Sequence, residues 1–135
     1  MLVRLRKSQL DLFRKKARED ENEILAYLVG TVDSPQKVTV QHFLYPELVD
    51  QSPTEVCADE ASWKLIREKA EAQNLAVIGT IHSHPNWWPV QSPSDYNSQI
   101  KDGHRICCVC AVMNRRTKVY FWVSSSSLPC ETKYF

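Results

Sequence analysis

Apolar residues recur on two different periods along this chain, and the changes of period divide it into elements. From Ser8, the residues Leu10, Phe13 and Ala17 fall on one helical face, and Asp11 completes an S-x-x-D start. Asn22 to Gly30 (NEILAYLVG) predicts a strand, with a turn at Asp33-Ser34-Pro35. Lys37 to Leu44 (KVTVQHFL) predicts a second strand, which Pro46 ends. Residues 45–58 carry no clear period and are expected to be a loop. Trp63, Ile66 and Ala70 then return to helical spacing over Asp59 to Gln73, with Asn74 suited to end the helix. Leu75 to Ile81 (LAVIGTI) is a nearly continuous apolar run, as expected of a strand buried on both faces. A short helix is expected over Pro93 to Gln99. Arg105 to Met113 and Thr117 to Ser124 then read as a hairpin around Asn114-Arg115-Arg116. The last stretch, SSSSLPCETKYF, reads as a loosely held tail. Helices interspersed with strands and a late hairpin predict an α/β class, a mixed sheet with helices packed on it.

Composition narrows the functional classes without choosing one. The 135 residues amount to one domain, 43% apolar and 24% charged, with a net charge of +1. No global field therefore argues for nucleic acid or an anionic membrane surface. The basic residues near the N-terminus are offset by Asp11, Glu19, Asp20 and Glu21, as on a solvated helix face. Only Leu2 and Val3 precede the first charge, so no signal peptide is expected, and no apolar run approaches a bilayer span. Three of the five cysteines, Cys107, Cys108 and Cys110, are too close in sequence to staple distant segments. They predict free thiols in a reducing, cytoplasmic setting, and no CxxC pair suggests a zinc knot.

The chemistry concentrates in GTIHSHPNWWPVQSPSD, residues 79–95. Strand side chains alternate faces, so His82 and His84 project together from the end of the buried run, and Pro85 stops further pairing. Two imidazole nitrogens at that spacing suit one zinc ion. Asp95, in the first turn of the expected next helix, could supply a third ligand and leave the fourth position to water. Ser92-Pro93-Ser94-Asp95 is equally a good helix start, with Ser92 as the cap. His42 and His104 have no ligand partner at useful spacing, and Cys57 lacks the paired histidine signature of a thiol nucleophile. Trp63 and Trp122 fit core positions, whereas Trp87 and Trp88 lie in the loop between the candidate ligands, suited either to packing it or to lining a cleft.

Taken together, H-x-H-P, seven residues and S-x-x-D resemble the signature of the JAMM (MPN-plus) zinc peptidases. The resemblance implies a catalytic domain over residues 1–125, leaving 126–135 as a C-terminal tail. It implies a cytidine-deaminase-like α/β sandwich with a curved sheet flanked by helices. It also implies one zinc per chain, held by His82, His84 and Asp95 with a water as fourth ligand. The family's early motif E-x-x-G-x-L-x-G corresponds to Glu23-Ile-Leu-Ala-Tyr-Leu-Val-Gly30, with Ala26 standing where the family has glycine. Glu23 would then be the general base and Ser92 a donor to the forming oxyanion. The implied activity is cleavage after the C-terminus of ubiquitin or a ubiquitin-like protein, whose tail is expected to add as a strand to an exposed edge. Two other readings stay open, a catalytically silent MPN scaffold and a hydrolase of a non-ubiquitin peptide. A zinc nucleoside deaminase would need H-x-E and P-C-x-x-C, and the chain has neither.

Overall fold

A computed structural model of the chain describes residues 1–85 and 103–135. Its strands are β1 (Leu2–Leu5), β2 (Leu25–Ser34), β3 (Lys37–Leu44), β4 (Leu48–Gln51), β5 (Val56–Ala58), β6 (Ala76–His84), β7 (Ile106–Met113), β8 (Arg116–Val123) and β9 (Glu131–Tyr134). The helices α1 (Lys7–Glu19) and α2 (Glu60–Ala72) interrupt them after β1 and β5. Seven strands form one sheet in the order β8-β7-β6-β2-β3-β1-β9, and β4 and β5 form a separate two-stranded hairpin. β6 and β7 run parallel, as do β1 with β3 and with β9, and the remaining pairs are antiparallel. The sheet is therefore mixed, as the α/β reading requires.

Each helix covers one face. Leu10, Phe13 and Ala17 of α1 are buried against Val3, Leu5, Leu28, Val40, Ile81 and Phe121 in the larger core. Ile66 and Ala70 of α2 close the opposite face over Tyr27 and Val29, with Trp63 and Leu25 packed against them. Trp63 is half-buried and sets its ring 4.6 Å from Tyr27 and 5.9 Å from His104. Trp122 is also half-buried, stacked 5.8 Å from Tyr120 on β8. Both tryptophans therefore pack partly rather than filling a sealed core.

The strands β3 and β6 and the hairpin β7–β8 lie where the apolar patterning puts them. Asn114 and Arg115 turn the hairpin with φ of 51° and 63°. Positive φ at both central residues is what a twisted two-residue hairpin needs. α2 also agrees with its pattern. The Asp59 carboxylate accepts from the Ser62 N–H at 3.1 Å, and Asn74 leaves the helix with φ of 58°.

Four expectations give way. α1 starts at Lys7, and Arg6 at its cap position makes no side-chain cap bond, so Ser8 lies inside the helix rather than capping it. The Lys7 N–H donates to the Phe135 carbonyl at 3.1 Å, which satisfies one of the open donors of the first turn. The tail is not loose: β9 pairs in parallel with β1 over Leu2↔Glu131 to Leu5↔Tyr134. Residues 45–58 hold the β4–β5 hairpin rather than a plain loop. Finally, β2 begins at Leu25, so Glu23 precedes the strand instead of starting it.

Gly30 shows why the end of the E-x-x-x-x-L-x-G stretch is constrained. β2 shifts register against β3 between Val29 and Gly30, and a Cβ on Gly30 would collide with the Thr39 carbonyl. No flexible side chain is there to yield, so Gly30→Ala is expected to destabilise the fold by at least ~3 kcal/mol, the upper end of ordinary overpacking costs. Urea denaturation measures it.

Candidate metal centre

β6 delivers both histidines, and its pairing fixes where they point. His82 lies opposite Leu25 of β2 and Val109 of β7. Paired residues share a face, and Leu25 packs in the α2-side cluster, so His82 and His84 stand on the α2 face of the sheet. They are 3% and 5% exposed, and their Nε2 atoms lie 2.9 Å apart. With zinc–nitrogen bonds of ~2.0–2.1 Å, that separation subtends about 90° at a shared ion. Alternation places Ser83 on the opposite face, where it is wholly buried.

Glu23 reaches the same place from the other side of the β2–β6 pair. It is 5% exposed, and one carboxylate oxygen and one nitrogen from each histidine all lie within 4.8 Å of one another. A carboxylate is costly to bury unless a positive charge or donors meet it. Two imidazole nitrogens converging beside a carboxylate form a donor set that suits a borderline cation such as Zn²⁺. The residues present therefore fit one metal ion.

The backbone around Glu23 is tied down on three sides. Its N–H donates to the Ser52 carbonyl at 2.8 Å, and its own carbonyl accepts from Gln51 Nε2 at 3.1 Å. The next N–H, of Ile24, donates to Ser83 Oγ at 2.9 Å. Gln51 and Ser83 were not singled out by sequence. The available signal was a lone hydroxyl between two histidines in an otherwise apolar strand.

Ser92 and Asp95, together with Trp87, Trp88 and the expected helix over 93–99, lie outside the described residues. The described residues bring Glu23, His82 and His84 together. His42 is half-buried on β3, and His104 is buried among the Tyr27 and Trp63 rings rather than beside the cluster. The cysteines stay out of it as well. All five are free, and those of β7 are fully buried. Burial pushes the Cys110 thiol up to about 12 and the Cys108 thiol well above its usual range, so both remain protonated and behave as small apolar groups.

A cleft of about 320 Å³ opens at Ile24 and Leu25, the two residues that follow Glu23. Ile24, Leu25, Tyr45 and Leu48 line it with apolar surface, and Lys16, Glu19 and Asp20 add charge of both signs from the C-terminal end of α1.

A family model described as prokaryotic homologs of the JAB domain matches residues 6–125. The chain belongs to this family. No curated protein matches it by sequence. Among solved structures, the JAB-domain chain resembles protein DSY2949 from Desulfitobacterium hafniense at 18% identity and a TM-score of 0.73, covering 98% of this chain and 92% of that one. It also resembles AF2198, a JAB1/MPN domain protein from Archaeoglobus fulgidus, at 13% identity and a TM-score of 0.62, covering 97% of each. At such identities these likenesses establish the fold, which is that of an MPN domain. JAB/MPN domains include metallopeptidases, and the buried Glu23–His82–His84 cluster is compatible with their JAMM motif and with one bound metal ion. No helix among the described residues is long and apolar enough to cross a membrane.

Proposed function

We propose that this JAB domain is a zinc peptidase that cleaves after the C-terminus of ubiquitin or a ubiquitin-like protein. The observation that carries the reading is the convergence of a buried carboxylate with two imidazole Nε2 atoms 2.9 Å apart. A scaffold needs no such donor set in its interior, where each polar group is costly to bury.

His82 and His84 would hold the ion, and Asp95 is the proposed third protein ligand. Bound there, zinc would supply a water of pKa near ~7 and polarise the scissile carbonyl. Glu23 then takes the proton of the attacking water and passes it to the leaving lysine or α-amine. Ser92 donates to the oxygen on which charge develops, a role typically worth roughly 10²–10³ in rate. Glu23 is buried from bulk water, which strengthens each of these interactions.

The substrate proposal draws on the surroundings of Glu23. β4 pairs with β5 along one edge, and among the described strands its other edge has no partner. An extended tail could add there as a strand and drop side chains into the adjoining cleft, whose apolar floor suits apolar residues and whose Lys16, Glu19 and Asp20 rim suits polar ones. Five free thiols accord with action in a reducing compartment such as the cytoplasm.

The test is a panel of ubiquitin chains, linear ubiquitin fusions and fusions to other ubiquitin-like proteins, each incubated with the zinc-loaded protein and with its Glu23→Gln variant. Cleavage directly after a terminal glycine by the wild type alone supports the reading. Zinc binding without cleavage of any member would overturn the substrate assignment.

A further inference from the structure

The peptide that joins Glu23 to Ile24 is gripped at both ends by side chains. Its carbonyl accepts from Gln51 Nε2 at 3.1 Å, and its N–H donates to Ser83 Oγ at 2.9 Å. The second contact replaces what a regular ladder would offer. Leu25 and His82 are paired across β2 and β6, so the next pair is Ile24 with Ser83. One half of that pair is ordinary, because the Ser83 N–H donates to the Ile24 carbonyl at 3.0 Å. In the other half the Ile24 N–H meets the serine hydroxyl instead of the serine carbonyl. The ladder stops there, and Glu23 turns off the strand toward Ser52, whose carbonyl takes its N–H.

We infer that Ser83 is a positioning residue for Glu23, its hydroxyl holding the 23–24 peptide in the plane that aims the carboxylate at the two histidines. The inference rests on the proposed role of Glu23 as the base. Ser83 is wholly buried and points away from the imidazoles on either side of it, so it reaches the centre only through the peptide it grips. Alanine would leave the Ile24 N–H without that acceptor and free the peptide plane to rotate. Misplacing a reacting group by ~1 Å can cost ~10²-fold in rate. The histidines, held by their own strand pairing, would keep their places.

Three zinc-exposed proteins decide it: wild type, Ser83→Ala and Ser83→Thr. Amide exchange at Ile24 and Ile81 is followed by NMR, with zinc content and turnover of a linear ubiquitin fusion measured on the same samples. In Ser83→Ala, exchange at Ile24 should rise at least ~10-fold while Ile81, deeper in β6, keeps its protection. Zinc content should match wild type, and kcat should fall ~10²-fold with KM within about twofold. Ser83→Thr retains the hydroxyl and should restore both Ile24 protection and kcat. Unchanged Ile24 protection in Ser83→Ala would overturn the inference, as would equal loosening of Ile24 and Ile81, which marks a loss of general stability. A wild type that takes up no zinc or leaves the fusion intact would sink the peptidase reading instead, and the Ile24 and Ile81 exchange alone would then judge the grip of Ser83.

Discussion

Glu23→Gln is expected to keep zinc at the wild-type stoichiometry while lowering cleavage by roughly 10²–10⁴-fold, the range for loss of a positioned general base. Glutamine has nearly the same shape, so the 23–24 peptide with its Gln51 and Ser83 contacts should persist. What it lacks is a group able to take a proton from water. The pairing of metal content with rate separates two roles that the geometry allows, since a carboxylate oxygen within 4.8 Å of both imidazole nitrogens could ligate the ion or act through its water. Retained zinc with lost turnover assigns the base. Loss of zinc in Glu23→Gln would make Glu23 a ligand and leave the water without its proton acceptor. Metal analysis and steady-state rates on one preparation distinguish these results.

His84→Ala should lose both properties together. His82 and His84 meet at 2.9 Å, so removing one leaves a single imidazole beside the Glu23 carboxylate. Loss of an outer-shell partner typically weakens a metal site 10–100-fold, and loss of a direct ligand should exceed that. Stability gives an independent reading. A ligand at ~1,000 times its Kd stabilises the native state by about 4 kcal/mol, so excess zinc should raise the wild-type Tm by many degrees. Zinc should leave the Tm of His84→Ala unmoved, and a chelator should bring the wild type to the same behaviour. A variant that still binds one zinc tightly would show that the ion sits elsewhere.

Much of the site was legible because two periods meet there. A long apolar run that ends in H-x-H can only place both imidazoles on one face, and the β6 register does so with His82 opposite Leu25 and Val109 and His84 opposite Ala111. Helix α2 was equally legible, since Asp59 and Asn74 carry their own local chemistry as cap and stop. The strands that escaped notice are short and lack local signals. β1 and β9 have four residues each and exist through pairing with each other and with β3, a long-range fact. β4, between Pro46 and Pro53, is largely exposed, and β5 has only three residues, so no period marks them. For Glu23 the sequence gives the residue but not its exact setting. That setting depends on Ser52, Gln51 and Ser83, through contacts spanning 28 to 59 residues of chain that no spacing rule expresses.

The same logic explains the error at α1. Ser8 and Asp11 form a start by local rules, yet the helix begins at Lys7, whose N–H meets the Phe135 carbonyl from a distant part of the chain. The helix starts one residue before Ser8, its first N–H satisfied by tertiary pairing that local capping rules do not express.

Zinc-edge X-ray absorption on the wild type, with total zinc determined in the same sample, tests the centre most directly. One zinc per chain with nitrogen and oxygen neighbours at ~2.0–2.1 Å, including two imidazoles, is the predicted result. A protein that remains zinc-free in excess metal, or a shell containing sulfur from the cysteines, would contradict it.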